Sequence, residues 1–341
     1  MMVRRVLFTG PRQVTLNEEV QDLPFDASSV SGPTLVSLIS TGTELAALRD
    51  SQGRTSYPVP AGYAAVFEVA NVGDKVTDIS IGERVFSMGQ HQSVQTVSRA
   101  RPFPPSIPIP ESLAPEVAVF ARFMAVSMAT LGTTRARPPD KVFISGLGLI
   151  GNLAAQIFTA AGYETYAWDP APRRRELAAS CGVSTVDVPL GEAKPQIGEA
   201  TLVVECSGHE AAVLDGLGCL RKGGELVLVA RPWERQTDLF AQELLDRVFS
   251  SYATLRSGWE WQVPLGPEPL LKDDFRTHYR QFVAAPSSLE MLHAAIRWLS
   301  EGRITVSGLA DTAQPQDAPD VYTRLDTRSH QQLTTLFQWH S

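Results

Sequence analysis

The apolar positions change their period near Leu113. Before it they fall in short runs rich in alternating or β-branched residues: Val3–Phe8, Val14–Val20, Thr34–Ile39, Ala64–Ala70, Arg84–Ser87 and Ser93–Val97. Gly10-Pro11, Gly73-Asp74 and Gly82-Glu83 punctuate them. Short runs between turn residues predict strands, the first two as a hairpin, in a folded-over sheet. Pro102, Pro104, Pro105, Pro108 and Pro110 then predict an extended connector. Beyond it, helical and strand periods alternate. Glu116–Leu131, Arg173–Ser180, Glu210–Leu220 and Ser288–Glu301 predict helices, whereas Thr165–Trp168, Thr201–Cys206 and Glu225–Ala230 predict buried strands. Arg221-Lys222-Gly223-Gly224 is read as the turn before the last of these. Alternation of this kind predicts a parallel, doubly wound sheet. Val321–Leu325 and Leu333–Trp339 suggest a final helix and closing strand. Between Arg231 and about Pro286 the pattern is irregular and aromatic, with Trp233, Phe240, Phe249, Tyr252, Trp259, Trp261, Phe275 and Tyr279.

One stretch organises the rest. Val142–Ser145 is β-rich, and Gly146-Leu147-Gly148-Leu149-Ile150-Gly151 follows at once. Ile150, Leu153, Ala154, Ile157, Phe158 and Ala161 repeat at helical spacing up to Gly162. A second strand ends in Asp169, 18 residues beyond Gly151. Strand, glycine turn, helix, strand and acidic residue together form the dinucleotide fingerprint. Gly146 permits the tight turn, Gly148 lets a pyrophosphate reach the backbone, and Gly151 lets the helix close on the sheet. A glycine-rich turn without a ligand does not explain Asp169. A carboxylate there accepts hydrogen bonds from ribose hydroxyls and repels a 2′-phosphate, so NAD(H) is preferred. Arg173-Arg174-Arg175 follow four to six residues on and keep NADP(H) possible.

Composition narrows the setting. With 341 residues there is room for two domains, and 43% apolar with 20% charged residues is ordinary for a globular chain. The net charge of −7 argues against nucleic acid or an anionic membrane as partner. No apolar run reaches spanning length and MMVRRVLFTG lacks a signal-peptide core, which makes the cytoplasm the default. Cys181, Cys206 and Cys219 are the only cysteines, without a CxxC pair, and packing is their expected role. The six histidines, His91, His209, His278, His293, His330 and His340, show no ligand spacing.

The chain resembles the medium-chain dehydrogenase/reductase superfamily over nearly its whole length. Gly42-Thr43-Glu44, Gly62-Tyr63, Gly82-Glu83-Arg84-Val85-Phe86, the glycine fingerprint, Leu220-Arg221-Lys222-Gly223-Gly224, Gly302-Arg303-Ile304 and Asp317-Ala318-Pro319 carry the resemblance. Ser40-Thr41-Gly42-Thr43-Glu44 is most similar to its bacteriochlorophyllide dehydrogenase-like branch. Membership implies an α/β chain: a GroES-like β-rich catalytic domain over 1–118 and 266–341, and a Rossmann domain over 119–265. It implies an active site in the cleft between them, a homodimer and a small-molecule substrate. Cofactor contacts are implied at Gly146, Gly148, Leu149, Ile150, Gly151, Asp169, Arg174, Cys206, Ser207, His209 and Ala230. Where zinc-using members place ligands, this chain has Thr41, Tyr63 and, by alignment, Arg122. These are poor donors for zinc, so a metal-free protein is expected. Thr43, Tyr63, His91 and Arg122 are the candidate catalytic residues. Trp259 and Trp261 either line a pocket or, the favoured reading, pack a subunit interface or core. Three functions stay open: a zinc-independent alcohol or polyol dehydrogenase, a metal-free reductase of activated double bonds or quinones, and a non-catalytic nucleotide-binding protein.

Overall fold

The computed structural model describes residues 2–100, 103–266, 286–329 and 331–339. The chain divides into two compact units, Met1–Arg122 with Ile296–Gly302 and Val306–Ser341, and Phe123–Ala295 with Arg303–Thr305. The first division falls a few residues beyond the expected 118. The second falls at Ala295 rather than 265, inside the helix Ser288–Ser300. Packing accounts for this: Met291 and Pro286 lie against Gly132 of the helix Ala121–Thr133, which holds the start of the later helix to the second unit.

The first unit is built on the strand Ser29–Leu38. It pairs antiparallel with Ala65–Glu68, Asn71–Val72, Val94–Ser98 and Thr334–Gln338. Its side chains are buried or half-buried on both faces, so the alternation that marks a half-buried strand is missing. Sequence pattern alone recovers only its second half for that reason. Ser29, Ser31, Thr34 and Ser37 are all buried in it. Buried hydroxyls are costly unless bonded, and these point to a polar network beside the strand. The hairpin Met2–Gly10 with Gln13–Val20 forms as expected and adds Val59–Pro60 in a smaller sheet. Val6, Phe8, Ile39, Leu45 and Leu48 share a core with Val321, Tyr322, Leu325, Phe337 and Trp339. The C-terminal segment thus completes the β-rich unit. At about 1.5–3 kcal/mol per large apolar side chain, that shared core is what fixes the distant tail.

In the second unit six parallel strands lie in the order Ser184–Thr185, Glu164–Trp168, Lys141–Ser145, Ala200–Glu205, Leu220–Leu228 and Thr254–Ser257. The order reverses beside Lys141–Ser145, which is the switch point where such sheets take ligands. Val142, Ile144, Ala154, Phe158, Leu202 and Val204 form the core at this point. Arg221–Gly224 lies within the strand Leu220–Leu228 but has no ladder partner between the pairs Ala200–Leu220 and Leu202–Glu225, and Gly223 has φ +77°, so the expected turn takes the form of a bulge before the paired stretch. Thr43–Arg49, Leu190–Ile197 and Ala241–Ser250 are helices that the pattern did not reveal. Leu190–Ile197 carries Pro195 in its interior and is held by burying Leu190, Ala193 and Ile197. Tertiary packing here overrides weak local propensity.

Pro115–Thr133 has the length and apolarity of a membrane span, but two-thirds of its span window, 67%, is buried within the protein. Glu116 and Arg122 interrupt it as an apolar run. The aromatic stretch is mostly on the surface: Phe240, Phe249, Tyr252 and Trp259 are exposed. Phe275 and Tyr279 lie outside the described residues, as do His278, His330 and His340.

Candidate active site

The fingerprint turn assembles from backbone. Gly146 has φ +87°, where an L side chain is strained. A Cβ on Gly151 would lie 1.8 Å from the Gly146 carbonyl oxygen. Around Gly148 nothing lies within 4 Å of where a Cβ would stand. It precedes the helix Leu149–Ala160, whose N-terminus has no side-chain cap, so its N–H groups remain for an anion. Leu149 is buried and Ile150 half-buried on the first turn of that helix.

Asp169 closes the turn from the next strand. Its Oδ2 accepts from Leu147 N at 2.8 Å, and its Oδ1 accepts from Ala171 N at 2.9 Å. Arg174 Nη1 donates to the same Oδ2 at 3.3 Å, and Arg175 Nη1 donates to the Asp169 carbonyl at 2.8 Å. The carboxylate is 2% exposed. It therefore holds the glycine turn and pairs with a guanidinium, a double engagement that spacing did not show.

On the other flank Glu205 ends its strand fully buried and accepts from Ser207 N at 2.7 Å and Gly208 N at 3.0 Å, as well as from the Ser207 hydroxyl. Burial pushes this carboxyl above its ordinary range, and the bonds from Ser207 and Gly208 pull it partly back. Ala230 N donates to the Glu205 carbonyl at 3.0 Å, and Cys206 N to the Ser145 carbonyl at 2.8 Å. Burial and the Glu205 carboxylate drive the Cys206 thiol far up, which leaves it unreactive. His209 caps the helix Glu210–Cys219: its Nδ1 accepts from Ala211 N at 3.2 Å. Glu205 was not among the expected residues; an acidic residue closing an otherwise apolar strand was its only signal.

The second cluster lies in the first unit, where Ser29–Leu38 runs out into the helix Thr43–Arg49. Ser40 N donates to Glu44 Oε1 at 2.7 Å, and Glu44 N donates to the Ser40 carbonyl at 3.0 Å. Tyr63 OH donates to Ser40 Oγ at 2.5 Å, and the Thr43 hydroxyl also bonds the phenol. The Arg122 guanidinium carbon stands 4.9 Å from the Tyr63 ring centroid. Burial raises the Tyr63 phenol above its ordinary range, while Arg122 pulls it back. Thr43, Tyr63 and Arg122 are thus brought together.

His91 lies deeper than its loop position indicated. It is fully buried, with Nδ1 2.7 Å from Ser37 Oγ and Nε2 3.1 Å from Glu44 Oε2. Its ring meets the Phe337 ring edge-on at 5.2 Å. The loop is pinned by His91 N donating to the Ala61 carbonyl and Val6 N to the His91 carbonyl. His91, a candidate catalytic residue, is thus enclosed behind Glu44. Tyr322 OH donates to Glu44 Oε2, and Trp339 Nε1 donates to Ser37 Oγ at 2.9 Å. Neither partner is local in sequence to Glu44 or Ser37.

Among the described residues no three His, Cys, Asp or Glu side chains are placed to hold a metal ion. Thr41, Tyr63 and Arg122 offer hydroxyls and a cation where a divalent ion needs N, S or carboxylate donors, so this donor set does not fit zinc.

Residues 150–262 match the zinc-binding dehydrogenase domain family. A protein assigned as a D-xylulose reductase from Agrobacterium fabrum is 28% identical over 210 residues, covering 51% of this chain and 60% of its own. Sorbitol dehydrogenase from Bacillus subtilis is 26% identical over 156 residues, 43% of this chain and 44% of its own. The aligned region thus spans less than two-thirds of either relative. Galactitol-1-phosphate dehydrogenase from Escherichia coli has the same fold from end to end, with a TM-score of 0.79 over 98% of this chain and 99% of that one at 16% identity. These likenesses give the domain family for residues 150–262 and the fold for the whole chain. The fingerprint turn keeps the expected glycines and acidic residue, while Thr41, Tyr63 and Arg122 depart from the zinc-binding pattern.

Proposed function

We propose that the chain is an NAD(P)-dependent oxidoreductase interconverting small alcohols or polyols and their carbonyl partners without a zinc ion. Tyr63 carries the reading. Its phenol lies between the Ser40 and Thr43 hydroxyls, with Arg122 over its ring, at a position where the superfamily resemblance places a metal ligand. The nicotinamide would supply or accept the hydride, held through the fingerprint turn. A carbonyl that takes the hydride becomes an alkoxide and needs hydrogen-bond donors and a proton. The Tyr63 proton, which rests on Ser40 Oγ, and the Thr43 hydroxyl, which rests on the phenol, would turn to that oxygen, and Arg122 would lower the energy of its negative charge. Because burial keeps the phenol protonated, Tyr63 serves as an acid more readily than as a base, which favours carbonyl reduction. Asp169 favours NAD(H), and its Arg174 partner leaves NADP(H) accessible. A cytoplasmic homodimer is the expected setting.

The test is NADH oxidation with D-xylulose, D-fructose and simple ketones after dialysis against chelator, with elemental analysis of the same sample. Turnover in protein essentially free of zinc supports the proposal. About one tightly held zinc per chain, with turnover lost on its removal, overturns the metal-free part. Failure with these carbonyls but turnover of enones or quinones moves the chain to the double-bond reductases.

A further inference from the structure

The hydroxyl cluster has a buried anion behind it that no step above uses. Glu44 is 4% exposed, and its carboxylate is met by three donors: Ser40 N at 2.7 Å, Tyr322 OH, and His91 Nε2 at 3.1 Å. A carboxylate only accepts, so the proton of His91 facing it is on Nε2. Ser37 takes the indole N–H of Trp339, which leaves its own O–H to donate to His91 Nδ1. The donors therefore run in one direction, from Trp339 through Ser37 and His91 to Glu44. On its other oxygen Glu44 fixes the Ser40 backbone, and Ser40 Oγ in turn receives the Tyr63 phenol at 2.5 Å.

We propose that Glu44 is a positioning residue: clamped by His91 and Tyr322, it holds Ser40 so that Ser40 Oγ fixes the rotamer and hydrogen direction of Tyr63 beside Thr43. A buried carboxylate with three donors is rigid, because losing any one of them leaves a charge under-solvated. A serine at the end of a strand has no such restraint by itself. The phenol has a single proton; in the resting protein Ser40 accepts it and the Tyr63 oxygen receives the Thr43 hydroxyl, and a substrate oxygen would take the place of Ser40 as acceptor. The orientation of the pair is thus set from behind, by side chains that touch neither substrate nor cofactor.

The proposal rests on the Tyr63 reading above, but its test needs no turnover. Protein is labelled with 3-fluorotyrosine, and the Tyr63 fluorine resonance is identified by its loss in Tyr63→Phe. In Glu44→Gln the Tyr63 line is expected to shift and change width. Ser40→Ala should move it as well, and Ser40→Thr, which restores a hydroxyl, should return it towards the wild-type position. If Glu44 serves only fold stability, the melting temperature falls in Glu44→Gln while the Tyr63 line stays in place, and the proposal is overturned. Should Glu44→Gln fail to fold, Tyr322→Phe removes one clamp and keeps the charge; an unmoved Tyr63 line there overturns the proposal equally. With a turned-over substrate, Glu44→Gln lowers kcat and leaves KM for NADH unchanged. Loss of all turnover in the carbonyl screen would count against the proposed function, whereas the fluorine shifts would still decide the role of Glu44.

Discussion

The two clusters solve the same problem, holding buried polar groups in fixed directions, by opposite means. Around the fingerprint turn the acceptors are carboxylates and four of their six donors among the described residues are backbone N–H groups: Leu147 and Ala171 for Asp169, Ser207 and Gly208 for Glu205, beside the Arg174 and Ser207 side chains. In the hydroxyl cluster side chains hold side chains, and Glu44 and Tyr322 meet across 278 residues of sequence. The first arrangement depends on where the backbone runs, and so on glycine. The second depends on individual side chains contributed by separate elements.

The largest effect should come from the backbone-built turn. Gly151→Ala places a methyl against the Gly146 carbonyl, and neither strand nor helix can retreat without opening the core. A loss of about 3 kcal/mol in chemical denaturation is expected, with NADH fluorescence enhancement abolished. A stable variant that still binds NADH would erase the contrast. In the side-chain cluster, Tyr63→Phe should leave the melting temperature and NADH affinity nearly unchanged while turnover of the best carbonyl falls about 100-fold. Unchanged turnover removes Tyr63 from the chemistry.

Arg174→Ala sharpens the comparison at the edge of the turn. The side chain bonds Asp169 but makes none of the fold's backbone contacts. Binding titrations should show NADPH weakened about tenfold and NADH much less, because only the 2′-phosphate needs the cation. A uniform loss for both cofactors would make Arg174 a fold residue. Glu205 gives the smallest and most conditional effect. Its raised pKa means that the fold favours the protonated form, so its contribution is complete below the ordinary value of 4.5 and fades as pH rises through the raised one. Wild-type Tm minus Glu205→Gln Tm should therefore fall by about 2 °C between acidic buffer and pH of about 8. A difference independent of pH would show that Glu205 acts only through shape.

Why one cluster was legible in the sequence and the other only partly follows from this contrast. Gly146, Gly148, Gly151 and Asp169 lie on one strand–turn–helix–strand unit, and the physics that demands each is local. The partnership of Thr43, Tyr63 and Arg122 came only through family resemblance. The depth of His91 depends on Ala61, Ser37 and Phe337, which no spacing rule connects to it. Tyr322 and Trp339 went unnoticed because apolar periodicity reads both as core and says nothing of a hydroxyl or an indole N–H. The strand Ser29–Leu38 was half seen, since burial on both faces removes the alternation by which strands are recognised.

Asp169 has a consequence for how this protein can change over evolutionary time. Its carboxylate is both a strut for the glycine turn and the group that would meet the adenosine ribose. Replacing it to admit a phosphorylated cofactor would also remove the strut, so a mutation in the obvious place is penalised before any new preference appears. Arg174 would have only the second task. Drift in cofactor choice is therefore channelled to the helix residue beside the turn, and lineages descended from this chain should vary at position 174 while keeping the acid at 169.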